Sequence, residues 1–248
     1  EFISDKVQEY YKNKVNYSKM EERLKFLSSF TPSNKKIENQ TNITNIIIDN
    51  IENKKPNISI NKPLEINEKD HILVTGESGS GKTSLLYVLK GVIKPKKLSI
   101  KPNIELINAQ TYLTLPNHKS LFSGNLFDII TNYEKSPNVE LIDWALKASK
   151  IDHRIKSNEF VDIEKLSGGE RIRLLISRII YTVKTKNYNI LLFDEIDENL
   201  NDQLAQEICN NLRDIFKDKI ILYITHNEKV KGLFSKKFIV TKGLITHQ

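Results

Sequence analysis

The chain has 248 residues, of which 39% are apolar, and it carries a net charge of +7 and a single cysteine. That length supports a large core without disulfide staples, and the lone Cys209 points to a reducing compartment such as the cytosol. No apolar run approaches the roughly 18 residues that span a bilayer, no signal-peptide pattern is present, and the basic excess reads as a solvated surface, which a phosphate ligand or an anionic membrane surface could also use, and does not by itself imply nucleic-acid binding.

The chain opens on Glu1 rather than Met, which reads as a fragment of a longer polypeptide. Residues 3 to 30 read as a helix, with Val7, Tyr10, Tyr11, Val15, Leu24 and Leu27 at three- and four-residue steps. Thr31 to Thr44 is rich in Asn, Lys, Ser and Pro and reads as a linker, so residues 1–44 are set apart from a domain over 45–248. Strands are expected at Ile46 to Ile48, Ile58 to Ile60 and His71 to Val74. Helices are expected at Thr83 to Lys90, Val139 to Ser149, Gly168 to Val183 and Asn201 to Phe216. Ile190 to Phe193 and Ile220 to Ile224 are wholly apolar and read as strands buried on both faces. Phe238 to Val240 and Leu244 to Thr246 flank Gly243 as a hairpin. This alternation predicts an α/β fold with a mostly parallel sheet and helices on both faces. An antiparallel β portion and a helical subdomain over about 124–175 complete it.

Gly76-Glu77-Ser78-Gly79-Ser80-Gly81-Lys82-Thr83 fits the P-loop pattern, with a strand before it and a helix after it. Glycines let the backbone wrap around phosphates, and the helix that starts at the Lys presents its positive end to the same anion. Lys82 would reach the β- and γ-phosphates, the Thr83 hydroxyl would bind Mg²⁺, and Ser84 would extend the phosphate contacts. Asn189-Ile190-Leu191-Leu192-Phe193-Asp194-Glu195 is an apolar strand ending in two carboxylates. The first suits a Mg²⁺ ion and the second an attacking water, although a bland strand-to-turn junction reads the same way.

Leu166-Ser167-Gly168-Gly169-Glu170 narrows the reading. With the P-loop before it and Asp194-Glu195 after it, the chain resembles the ABC ATPase family over roughly residues 45 to 248. The resemblance implies a P-loop NTPase that binds ATP and Mg²⁺ in a head-to-tail dimer with a second ABC ATP-binding domain. Each site would join the P-loop of one domain to Ser167, Gly168, Gly169 and Glu170 of the other. It further implies that Glu195 aligns the attacking water, that Asp194 holds the metal, and that His226 is the switch histidine facing the γ-phosphate.

The chain departs from the family at three places. Leu115-Pro116-Asn117 resembles the family's L-P-Q, so Asn117 takes the position of the glutamine that senses Mg²⁺ and water, and Gln110 is expected in a strand. No aromatic residue lies between Phe30 and Tyr87, where the family stacks adenine, which predicts weaker discrimination between ATP and GTP. Ile196-Asp197-Glu198-Asn199-Leu200-Asn201 stands where the family often reads P-T-S-A-L-D, so Asn201 replaces an aspartate that bridges the two sites.

Ser18 to Leu27 resembles the cytosolic end of the last membrane helix of exporter-type transporters. This implies a motor domain on the cytoplasmic face of a membrane, partnered by the transmembrane domains of the same transporter. A separate importer subunit, a translation factor and a chromosome-organising ATPase fit the first residues or the spacing less well. A regulatory nucleotide-binding module with little turnover remains the alternative, because of Asn117 and Asn201.

Overall fold

The computed structural model describes residues 43–54, 57–114, 121–152, 159–186 and 188–248. The helix expected over residues 3 to 30, most of the linker after it, and Asn117 lie outside the described residues.

The described chain begins as an antiparallel meander. Strand β1 (Asn45–Lys54) pairs with β2 (Asn57–Ile60) at one end and with β3 (Leu64–Asn67) at the other. In β3, buried Leu64 and Ile66 alternate with exposed Glu65 and Asn67, the period of a strand with one wet face. Strand β4 (His71–Thr75) leads through the glycine loop into helix α1 (Lys82–Leu89). Strand β5 (Lys97–Lys101) returns to pair with β1, and helix α2 (Ile104–Ala109) precedes β6 (Thr111–Thr114).

Next come β7 (Gly124–Asn125), α3 (Leu126–Thr131), α4 (Val139–Ala148), β8 (Phe160–Val161), a 3-10 turn over Ile163–Lys165, and α5 (Gly168–Thr185). The region expected as a helical subdomain therefore also holds a small two-stranded β7–β8 sheet, and its last helix runs on to Thr185. The chain closes with β9 (Ile190–Asp194), α6 (Asp202–Ile215), β10 (Ile220–Ile224), α7 (Glu228–Lys231), β11 (Lys236–Thr241) and β12 (Leu244–His247).

One large sheet has the order β3-β1-β2-β12-β11-β4-β10-β9-β6, with β5 attached to β1. From β11 to β6 the neighbours are all parallel, and β11 and β12 form the antiparallel hairpin. The two apolar strands at the centre supply side chains to both faces. Leu191, Phe193, Ile221 and Tyr223 join a core under α5 and α6, while Ile190, Leu192, Ile220, Leu222 and Ile224 join one under α1 and the meander. Helix α6 fits because Ala205, Ile208, Cys209 and Leu212 recur on one side and are buried, and the Asn201 side chain caps it by accepting from Leu204 N–H at 2.9 Å. Burial pushes the Cys209 thiol up to about 12, which makes it inert.

Gln110 is not in a strand as expected. It caps the C-terminus of α2, one residue before β6. Its carbonyl accepts from Asn189 N–H at 2.9 Å and Ile190 N–H at 3.0 Å, and its side-chain oxygen accepts from Asn189 Nδ2 at 2.7 Å. It is a buried link between the starts of β6 and β9, and satisfying those polar groups is what ends the helix there.

Candidate active site

Parallel strands place their C-terminal ends on one edge, which is where open α/β sheets bind ligands. Here the ends of β4, β9 and β10 lie side by side and deliver the P-loop, Asp194-Glu195 and Thr225-His226 to that edge.

The P-loop occupies Gly76 to Gly81, with Lys82, Thr83 and Ser84 in the first turn of α1. The first N–H groups of a helix have no intrahelical partner, so this turn offers donors and a positive dipole end to an anion. Gly76 has φ of 147°, and a Cβ there would stand 2.1 Å from the Val240 carbonyl oxygen. Strand β11 therefore presses directly on the start of the loop, and no other residue fits. Ser80 accepts a hydrogen bond from Gly243 N–H at 2.8 Å, so the β11–β12 turn supports the loop's other end. Asn57 Nδ2 in turn donates to the Lys242 carbonyl at 2.7 Å. The Lys82 ammonium donates to the carbonyls of Gly76 and Glu77 at 3.0 and 2.9 Å, which places it inside the loop.

Thr83 Oγ1 donates to Asp194 Oδ2 at 2.9 Å. The other oxygen, Asp194 Oδ1, is buried without a hydrogen-bond partner among the described residues. Burial pushes this carboxyl up to about 6; the Thr83 bond works against that shift and the Glu195 charge adds to it. An orphaned carboxylate oxygen beside a threonine hydroxyl fits Mg²⁺, which takes few protein oxygens and completes its shell with phosphate and water. Among the described residues there is no cluster of three or more His, Cys, Asp or Glu side chains that could hold an ion alone.

Glu195 has φ of 50°, a left-handed conformation rare outside glycine and concentrated at functional sites. Its N–H donates to the Ile224 carbonyl at 3.0 Å, which pins the turn to the end of β10. The turn swings the carboxylate toward the neighbouring connection, where Oε1 lies 2.9 Å from His226 Nε2. Both side chains keep partial solvent access.

Ser167 opens α5 through a reciprocal cap. Its hydroxyl accepts from Glu170 N–H at 3.2 Å, and Glu170 Oε2 accepts from Ser167 N–H at 2.8 Å. Because the hydroxyl oxygen is the acceptor, its proton is left to donate outward. Arg171 fixes the approach by donating to the Leu166 and Glu164 carbonyls at 2.9 and 3.0 Å. Gly168 and Gly169 lie against Asn199 and Leu200, and with Arg173, Asn201 and Leu204 these line a cleft of about 420 Å³.

The ABC transporter family model matches residues 61–198, more than half of the chain. The chain belongs to the ABC transporter family. It is an ATP-binding domain of that family, whose ATP-binding domains are ATPases. It is 30% identical over 202 residues to the lipoprotein-releasing system ATP-binding protein LolD of Francisella tularensis, with 73% of this chain and 84% of that protein covered. It is 29% identical over 205 residues to an uncharacterized ABC transporter ATP-binding protein/permease of Acanthamoeba polyphaga mimivirus, covering 76% of this chain and 38% of that protein. The solved structure of a bacterial Atm1-family ABC exporter with ATP bound shares the fold, with TM-score 0.69 at 20% identity over 82% of this chain and 38% of that one. This chain thus spans about two-fifths of the mimivirus protein and of the exporter. Among the described residues no helix is long and apolar enough to cross a membrane.

Of the residues singled out in the sequence of this ABC domain, Lys82, Thr83, Asp194, Glu195 and His226 meet at one edge of the sheet, and Ser167 to Glu170 form the cap of α5. Glu170 is engaged by that cap. Sequence reasoning missed Val240 and Gly243, which brace the P-loop from more than a hundred residues further along the chain, and Asn57, which holds their turn. It also missed Asp197 as a contact of Thr225. The departure from the family's usual wording at Asp197 was the one signal in the sequence.

Proposed function

We propose that this domain hydrolyses ATP in a dimer with a second ABC ATP-binding domain, of the same or a different chain, and that closure and opening of the dimer drive the transmembrane domains of one transporter. The machinery works on the cytoplasmic face of the membrane. Lys82 and the loop N–H groups bind the β- and γ-phosphates, and Ser167, Gly168 and Gly169 of the facing domain bind the γ-phosphate from the opposite side. These contacts exist only while a γ-phosphate spans the gap, so they favour the closed dimer.

Glu195 aligns a water for in-line attack on the γ-phosphorus. As the water oxygen bonds to phosphorus, the bond to the bridging oxygen breaks, ADP leaves with that electron pair, and Glu195 accepts the water proton. His226 holds the Glu195 carboxylate and faces the departing phosphate; Lys82 offsets its growing charge. Thr83 and Asp194 would hold Mg²⁺, which supplies further neutralisation of phosphate charge when bound. The likeness to ATP-binding/permease proteins supports a transporter in which membrane domains share the chain or the complex.

The observation that carries this reading is the Glu195–His226 pair, 2.9 Å apart beside the P-loop edge. The test is steady-state phosphate release from ATP and Mg²⁺ at high protein concentration, with Glu195→Gln alongside. Turnover in the wild type, and an ATP-bound dimer without turnover in the variant, is the expected result. Binding without turnover in both overturns hydrolysis by this domain and returns the regulatory-module alternative.

A further inference from the structure

Glu195 and His226 stand on two separate connections, one leaving β9 and one leaving β10. Their mutual contact is a single, partly exposed pair. Such a pair contributes little on its own and cannot hold two loops in register. Something beneath it must fix the geometry.

The connection after β9 is built around Asp197, and the connection after β10 around Thr225. Both are buried, at 5% and 2% exposure. The Thr225 hydroxyl donates to Asp197 Oδ2 at 2.5 Å. The same Thr225 oxygen accepts from Asn227 N–H at 2.9 Å, so the bond straddles His226. Asn227 Nδ2 then reaches Asp202 Oδ1 at 3.0 Å, at the start of α6. Ile196, fully buried, anchors the first connection between Glu195 and Asp197. Because Asp197 and Thr225 are both buried, breaking their bond leaves Asp197 Oδ2 and the Thr225 hydroxyl proton with little solvent to replace it. Tyr223 and Cys209 face the Asp197 carboxylate from β10 and α6, and the Tyr223 hydroxyl is buried against it. A buried carboxylate is therefore kept where the family's usual wording has a neutral threonine, a departure that calls for a compensating role.

We propose that Asp197 is a positioning residue for hydrolysis, locking the Glu195 and His226 connections together through Thr225. This rests on the reading of Glu195 and His226 as the hydrolytic pair.

Two measurements on the 248-residue chain test it. The first is ATP hydrolysis by Asp197→Ala, Thr225→Val and the double variant, with circular dichroism and melting curves as fold controls. A displaced attack geometry lowers kcat about 10- to 100-fold in each single variant and leaves KM for ATP within about twofold. The double variant is no slower than the worse single one, because both remove the same bond. Asp197→Asn keeps an acceptor oxygen and restores kcat to within about threefold; with Thr225→Val it also carries the test if Asp197→Ala fails to fold. Unchanged kcat, parallel changes in kcat and KM, or losses that multiply in the double variant overturn the proposal.

The second measurement needs no turnover. The ring nitrogen resonances of His226, assigned with His226→Gln, report its contact with Glu195. They move in Thr225→Val in the same direction as in Glu195→Gln if the lock holds the pair, and stay at the wild-type position if it does not. A wild type that does not hydrolyse ATP thus defeats the functional reading alone, while the resonances still decide the lock.

Discussion

The Thr83 hydroxyl and the Asp194 carboxylate, 111 positions apart, are hydrogen-bonded at 2.9 Å, and the second Asp194 oxygen is buried without a partner among the described residues. The P-loop helix and β9 are thus joined at the point where a buried charge is least well satisfied. A site poised this way trades stability for ligand affinity.

That trade has a pH signature. The Asp194 carboxyl is raised from 3.8 to about 6 by burial, so the folded chain holds this proton more tightly than the unfolded chain does. Its contribution is fully present below about pH 4 and is lost as pH rises through about 6. Asp194→Asn removes the penalty and stabilises the nucleotide-free protein at pH 8 by about 1–3 kcal/mol. Melting curves at pH 5 and pH 8 check this: the variant gains at pH 8 and little at pH 5. The same variant loses the stabilisation that the wild type receives from ATP with Mg²⁺.

The Glu195–His226 contact predicts shared loss. Glu195→Gln lowers kcat about 100-fold or more, and His226→Ala lowers it by a similar order, with ATP affinity retained in both. Because the two side chains act as a unit, the double variant is hardly slower than either single one. Phosphate release in single-turnover experiments, beside ATP titration, separates chemistry from binding.

The hairpin turn under the P-loop predicts a distant effect on nucleotide binding. Gly243 has φ of 88°, and a Cβ there would stand 2.7 Å from Asn57. Gly243→Ala pushes the turn away and strains the Gly243 N–H bond to Ser80. The expected outcome is about 1–3 kcal/mol of destabilisation and weaker ATP binding, read by melting and by nucleotide titration. Unchanged ATP affinity in a folded variant would show that the turn does not shape the loop.

The Ser167 cap predicts two separable losses. Ser167→Ala removes the oxygen that accepts Glu170 N–H and destabilises the isolated chain by about 1 kcal/mol without nucleotide. On the proposed function it also removes the donor to the γ-phosphate, so ATP-dependent dimerisation of a Glu195→Gln background falls. Ser167→Asn keeps the cap and restores stability, and sedimentation with and without ATP reads the dimer.

Much of this was legible in the residues. Lys82 and Thr83 sit in a motif whose spacing is fixed by phosphate geometry, and Asp194-Glu195 ends an apolar run that only a central strand can bury. Helices over Val139, Gly168 and Asp202 were legible as longer stretches of mixed polarity among the short apolar strands. The short strands β3, β5 and β6 were not, because an alternation that lasts only four or five residues is too brief to separate a strand from loop. Gln110 is expected in a strand only because Asn117 takes the family's glutamine position, and its bonds to Asn189 show instead that it ends a helix.

The sequence by itself determined the chemistry on offer: which groups are suited to phosphate, which carboxylate is suited to a metal and which to act as a base, and the family to which the chain belongs. Local spacing carries that information because each motif is shaped by its own ligand. Only the tertiary structure decided how those motifs meet. The left-handed turn at Glu195, the Thr225 bond to Asp197, and the pressure of Val240 and Gly243 on the P-loop all join segments distant in the chain. They arise from parallel strands laid side by side, and no pattern within one segment records what its neighbour in space will be.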